Sequence, residues 1–271
     1  MVSTKTLVLA ALAAVAYAAP PAPPPKASPP PPPPPPKGCQ PTPTLPLTGG
    51  ASELPAPPAN VTLKKIAVGH GIQNYTCGSD ITAAANSSGA LAVLYDVTPL
   101  YPGTPRTGLA QAAFDTLTTT TLWTQAIPLN LIDPAAAAPG VVLSSKSYGA
   151  TASPFPPKAD LKLGNMPPIK FLGHHYFDAS NTPTFDLSAA GLLANVVKAH
   201  DDAPPANADK GPLGTGAVKW LQLVDSNKGI SKGATMVYRV ITAGGVAESC
   251  ATTGAGATTS VPYTAFYWFY G

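Results

Sequence analysis

The stretch Val261-Pro262-Tyr263-Thr264-Ala265-Phe266-Tyr267-Trp268-Phe269-Tyr270 decides the fold. Successive side chains of a strand point to opposite faces. Tyr263, Ala265, Tyr267 and Phe269 therefore point one way, and Phe266, Trp268 and Tyr270 the other. Both faces are apolar, so this strand needs a cover on each side and belongs inside a layered structure. The segment does not read as a lipid-anchor tail, because it is short and aromatic and lacks the polar spacer of such signals.

Upstream, β-branched and aromatic content bounded by turn residues predicts strands at Leu63–Val68, Ile72–Cys77, Ala90–Val97, Val141–Ser145, Ile169–Phe177, Ala217–Asp225 and Met236–Thr242. Asp225-Ser226-Asn227-Lys228-Gly229 reads as a hairpin loop. Thr107–Trp123 spaces Leu109, Ala112, Ala113, Phe114, Leu117 and Leu122 as a helix does. Leu187–His200 does the same with Leu192, Leu193, Val196 and Val197. Long proline-rich loops fill Leu131–Gly140 and Ser153–Pro168. The fold expected for residues 54–271 is mainly β: an antiparallel sandwich or partly closed barrel with one or two short helices.

The chain has 271 residues, 45% of them hydrophobic and 11% charged, with a formal net charge of +3. That suffices for one domain with a real core and is too apolar for general disorder. The cations are spread thinly, without lysine-rich runs, which argues against nucleic acid or anionic membrane as a partner.

The N-terminus reads as an export signal over residues 1–18. Lys5 is followed by the apolar run Leu7–Val15 and by Ala16-Tyr17-Ala18, a small-x-small cleavage pattern. No later segment reaches the roughly 18 apolar residues of a membrane span, so no transmembrane anchor is expected. Residues 19–53 form a proline-rich disordered spacer, unbroken proline from Pro29 to Pro36. Proline fixes φ and lacks an N–H, which favours an extended polyproline II rod. Export gives meaning to the glycosylation sequons at Asn60, Asn74 and Asn86, which fit the Asn-x-Ser/Thr pattern. It also favours a disulfide among Cys39, Cys77 and Cys250. Cys77–Cys250 is the expected pair, with Cys39–Cys77 as the rival that would pin the spacer to the domain.

Catalytic patterns are incomplete. Gly229-Ile230-Ser231-Lys232-Gly233 matches a nucleophile elbow, yet a strand pattern follows it and no histidine occurs after His200. His174 and His175 are adjacent, so in a strand they face opposite ways and cannot easily share a metal. One faces the interior and the other solvent or a cleft. A site combining one of them with His70, Asp178 or Asp186 is the weak catalytic candidate, set against histidines that are merely structural. Two glutamates and eleven scattered aspartates announce no glycosidase pair. The glycine strings Gly69–Asn74 and Gly254–Thr259 lack the third glycine of a dinucleotide fingerprint and do not sit in a βαβ unit. No cofactor and no metal are expected.

The strings Leu63–Cys77, Leu94-Tyr95-Asp96-Val97, Phe171–Phe177, Val237–Gly245 and Val261–Tyr270 resemble a family of secreted proteins, mainly of filamentous fungi with bacterial relatives, classed as domain of unknown function 3455. The likeness covers about Leu54 to Gly271. The resemblance implies an N-terminal signal. Its fungal members are often labelled malate dehydrogenase, which implies an NAD-dependent activity but carries no catalytic residues onto this sequence.

The leading expectation is an extracellular or cell-wall-associated binding or structural module, with cell-wall polysaccharide as a conceivable partner through exposed aromatics such as Tyr101, Trp123 or Tyr148. The rival is a secreted hydrolase with a His/Asp site, and the third reading is the dehydrogenase.

Overall fold

A computed structural model describes residues 42–141 and 145–271. The expected export signal, most of the expected spacer and Cys39 lie outside the described residues. Eight antiparallel strands close into a barrel in simple chain order. They are β1 (Leu63–Thr76), β2 (Asn86–Asp96), β3 (Phe171–Phe177), β4 (Pro183–Leu187), β5 (Leu192–Asp202), β6 (Trp220–Asp225), β7 (Met236–Gly244) and β8 (Thr258–Tyr270). Between the sandwich and the barrel that the sequence left open, the barrel is the outcome. Closure comes from β8, which pairs with β7 on one edge and with β1 on the other, in the register Ala67↔Tyr267 and Arg239↔Tyr267.

The aromatic C-terminal strand has the two covers its sequence demands. Tyr263, Ala265, Tyr267 and Phe269 join Leu94, Phe185 and Val237 in the core inside the barrel. Phe266, Trp268 and Tyr270 join a second core on the outside. That outer core is roofed by the long connection between β2 and β3, which carries helices α1 (Gln111–Asp115) and α2 (Leu117–Thr124). Phe114 of α1 stacks on Phe266 with ring centroids 4.9 Å apart. Thr264 Oγ1 donates to the Thr118 carbonyl of α2 at 2.8 Å. Residues 42–55 add to the same cover without regular structure: Leu45 and Leu54 lie against the outer core, and the Tyr238 hydroxyl donates to the Pro55 carbonyl at 2.8 Å.

Four expectations change. The two strands expected over 63–77 are one continuous β1. Its Gly71 is not a break but a contact point: a Cβ there would lie 1.9 Å from the Leu91 carbonyl oxygen of β2. The helix expected over Leu187–His200 is instead a short 3-10 turn (Ser188–Ala190) followed by β5. Pairing with β4 over Leu192–Asn195 and with β6 over Val196–Asp202 outweighs a helical spacing of only four apolar residues. The helix expected over Thr107–Trp123 is broken into α1 and α2 at Thr116, and β-branched threonines shorten it. The strand expected over Val141–Ser145 falls across residues outside the described set; Val141 is not in a strand, and a 3-10 turn begins at Ser145.

A disulfide joins Cys77, just past β1, to Cys250, the first residue of the single-turn helix α3 (Cys250–Thr253), across 173 residues. The rival pairing of Cys77 with Cys39 is thereby displaced. Closing so long a loop restricts the unfolded chain by about 5 kcal/mol in the chain-entropy account.

Two substitutions test this architecture by denaturant unfolding. Trp268→Ala, which opens a void under the outer cover, is expected to cost about 3–5 kcal/mol. Gly71→Ala, which adds only a methyl group, is expected to cost about 1–3 kcal/mol by forcing β1 and β2 apart.

Candidate functional site

The barrel interior is only partly filled. Small residues occupy much of the inward face: Ala67, Gly69 and Gly71 on β1, Ala90 and Ala92 on β2, Ala194 on β5 and Ala265 on β8. Tyr267 and Leu94 fill the space over Gly69, and a cavity of about 620 Å³ remains beside them, lined by Ala90 among these small residues. Its floor is His175, Phe185 and Tyr267, all buried. Its walls include Phe177, Leu221, Leu223, Val218 and Val246. Its rim carries Lys198 and Lys219, whose side chains are exposed, so the cavity opens to solvent there. Both lysines hold Asp201, at 2.6 Å each, and depress its carboxyl to about 2.

The polar groups inside are few and specifically placed. Arg239 sits between Leu221 and Tyr267 across the strands, with its side chain inward. Its Nε and Nη2 donate to the Lys219 carbonyl at 3.1 and 2.9 Å. The Tyr75 hydroxyl donates to the Gly245 carbonyl at 2.7 Å. The hydroxyls of Tyr263 and Tyr267 are 2.8 Å apart. Burial raises the pKa of both phenols, and the nearby Arg239 charge partly opposes it. His175 stacks on Phe185 with centroids 4.1 Å apart, and its Nδ1 lies 3.0 Å from the Thr184 carbonyl. A carbonyl accepts, so Nδ1 carries the proton and Nε2 is the bare nitrogen. Burial pushes this imidazole down to about 4, the Thr184 bond resists, and the Arg239 charge lowers it further. His175 is therefore neutral at ordinary pH.

The residues singled out in the sequence do not meet. His175 faces the barrel interior, while its neighbour His174 faces outward and stacks on Phe155 at 4.1 Å. Asp186 stands opposite His174 across β3 and β4 on that outer face; its carboxyl is held low by hydrogen bonds from Ser188. Asp178 organises the β3–β4 turn, accepting from the Ser180 and Thr182 amides and from Asn195 Nδ2. His70 lies on the outer face of β1 opposite Thr264, the residue bonded to α2. It is fully buried, and neither ring nitrogen has a hydrogen-bond partner among the described residues. Burial alone holds it near 3.

Other motifs resolve as scaffold. Ser231 of the G-x-S-x-G string donates to Asp225 Oδ1 at 2.5 Å and accepts from the Asn195 amide, tying the β6–β7 connection to β5. The glycine string Gly69–Asn74 lies within β1 and the string Gly254–Thr259 leads into β8, both in an antiparallel sheet. Tyr148 is buried, and Tyr101 packs edge-on against Phe114 and Trp268, so of the three aromatics expected at the surface Trp123 alone is exposed, at 40%. Among the sequons, Asn60 and Asn86 are exposed, whereas Asn74 is half-buried in β1 and accepts from Ser260 at 2.6 Å. Among the described residues, no group of three or more His, Cys, Asp or Glu is placed to hold a metal ion.

A family model described as "Protein of unknown function (DUF3455)" matches residues 57–271, the whole barrel. The chain belongs to that family. No curated protein and no solved structure matches it. For DUF3455, then, the cavity and its arginine are what the structure offers toward function. The resemblance read from the sequence began at about Leu54, close to the matched boundary. Arg239 and Gln73 escaped the sequence reading, because a charged or polar residue within an alternating strand is ordinarily its wet face.

The buried imidazoles set a pH dependence. An unfolded histidine titrates near 6.5, but His175 and His70 in the folded chain titrate near 4 and 3. Between those values the unfolded chain binds protons that the folded one refuses. Stability is therefore complete above about pH 6.5 and falls as pH drops, by up to about 1.4 kcal/mol per pH unit for each group. Urea unfolding between pH 7 and 4.5 checks this, and His70→Phe is expected to make the slope shallower.

Proposed function

We propose that this chain is an exported binding module that accommodates a small, largely apolar molecule inside its barrel. The observation that carries the reading is the 620 Å³ cavity, open at a rim and walled mostly by apolar side chains with a few convergent polar groups. Its size lies within the roughly 300–1,000 Å³ of small-molecule sites. Ligand pockets of this form occur in the mouths of eight-stranded barrels, whose interior is just wide enough for one small ligand.

Export is supported by the leader Met1–Ala18 and by the Cys77–Cys250 disulfide, a bond that persists in oxidising compartments. Among the described residues, no helix is long and apolar enough to cross a membrane. The exposed sequons Asn60 and Asn86 suit glycosylation on the secretory route. The proline-rich stretch then serves as a spacer between the barrel and whatever surface the exported chain meets.

Titration with N-phenyl-1-naphthylamine, a neutral dye that brightens in apolar surroundings, tests the cavity. One saturable site per chain is expected. Leu221→Trp, which puts an indole into the cavity, is expected to weaken binding tenfold or more while circular dichroism stays unchanged. Absence of saturable binding by the wild-type barrel would remove the reading. N-terminal sequencing of protein recovered from culture medium is expected to begin at Ala19; recovery with the leader intact from cytosol would contradict export.

A further inference from the structure

We propose that the barrel's ligand is an amphipathic organic acid, its anionic head seated on Arg239 and Gln73 and its apolar body against Phe185, Leu221 and Leu223; this rests on the cavity being a binding site at all. Three cations and one carboxylate line the cavity. The carboxylate, Asp201, is held by both rim lysines. Arg239 is left as a cation deeper in the barrel, and none of the ion pairs among the described residues includes it. A guanidinium has five N–H donors. Two of them, on Nε and Nη2, go to the Lys219 carbonyl, which anchors the side chain and fixes the plane of the fork. The remaining donors face the Tyr267 hydroxyl and no carboxylate.

A second group points the same way independently. Gln73 is 4% exposed and lines the cavity, and its Nε2 faces the Tyr263 hydroxyl without reaching hydrogen-bond geometry. A buried amide donor without an acceptor costs about 1–3 kcal/mol. An oxyanion brought into the cavity relieves that cost and neutralises Arg239 in one step. The tyrosine pair supplies a third polar group at the cavity wall. Tyr263 and Tyr267 share one hydrogen bond between their hydroxyls, which uses one of their two O–H protons. Tyr267 lines the cavity. His175 does not compete for the anion, since the Thr184 carbonyl holds its proton on Nδ1 and leaves Nε2 as an acceptor. The apolar walls exclude a small, fully hydrated anion as the natural occupant, because they offer nothing in exchange for its water. A carboxylate with a hydrocarbon body satisfies both parts of the site.

Displacement of bound N-phenyl-1-naphthylamine by decanoate and by 1-decanol, which differ in the head group, reads the preference directly. Decanoate is expected to displace the dye at concentrations at least tenfold lower than decanol. Arg239→Met is expected to bring that ratio close to one, and Arg239→Lys to retain part of it. Should Arg239→Met not fold, Arg239→Gln, which keeps a donor for the Lys219 carbonyl without the charge, gives the same comparison. Equal displacement by acid and alcohol in the wild-type barrel would overturn the inference while leaving the cavity reading intact. So would a preference that survives Arg239→Met and disappears in Lys198→Met, since the head group would then sit at the rim. Failure of the dye itself to bind would instead sink the cavity reading, and this inference with it.

Discussion

A thirteen-residue strand with aromatic side chains on both faces and hydrogen-bonding groups on both edges has to be enclosed on four sides, and Thr258–Tyr270 is such a strand. Its edges are taken by β1 and β7, which turns a meander into a closed barrel and leaves no free sheet edge there to template aggregation. Its inner face becomes part of the barrel core. Its outer face, which solvated barrels usually leave polar, has to be covered by something else. That requirement explains the long β2–β3 connection, with α1, α2 and Phe114 on Phe266, as well as the spacer end that lies across the same surface. The hydrophobic burial of each of these large side chains contributes roughly 1.5–3 kcal/mol, and the Cys77–Cys250 bond fixes the region where the chain turns back into β8.

With the outer face supplying so much of the core, the interior can be left incompletely filled. Alanines and glycines line much of the inward side of β1 and β2, and two of those glycines let backbones or rings approach where a Cβ would collide. The cavity that remains is walled by apolar groups such as Phe177, Phe185 and Leu223 and ringed by charge at the rim. Arg239 stands half-buried in its wall, held by the Lys219 carbonyl and paired with no carboxylate.

The two-faced burial of β8 was legible because both period-two sets of Val261–Tyr270 are apolar. The opposite orientations of His174 and His175 were legible from the same alternation. Other elements were hidden for identifiable reasons. Leu192, Leu193, Val196 and Val197 satisfy helical spacing, yet in β5 they divide between an inward Val196 and a Val197 that is 43% exposed. The five residues of β4 begin at a proline, an ordinary strand breaker that is tolerated at a strand's first position. Gly69 and Gly71 look like a turn and are a close contact. Arg239 was invisible as a site residue, since only barrel closure reveals that the face it shares with Val237 is the inside one. A cavity is a property of eight strands at once, and no local pattern announces it.

Native-state hydrogen exchange of the β8 amides tests the enclosure of this strand most directly. If β8 is paired on both edges and covered on both faces, the amides from Phe266 to Phe269 exchange in the slowest class, only through global unfolding. If they exchange as fast as those of the β3–β4 turn, β8 is an open edge, and the closed barrel with its interior cavity is wrong.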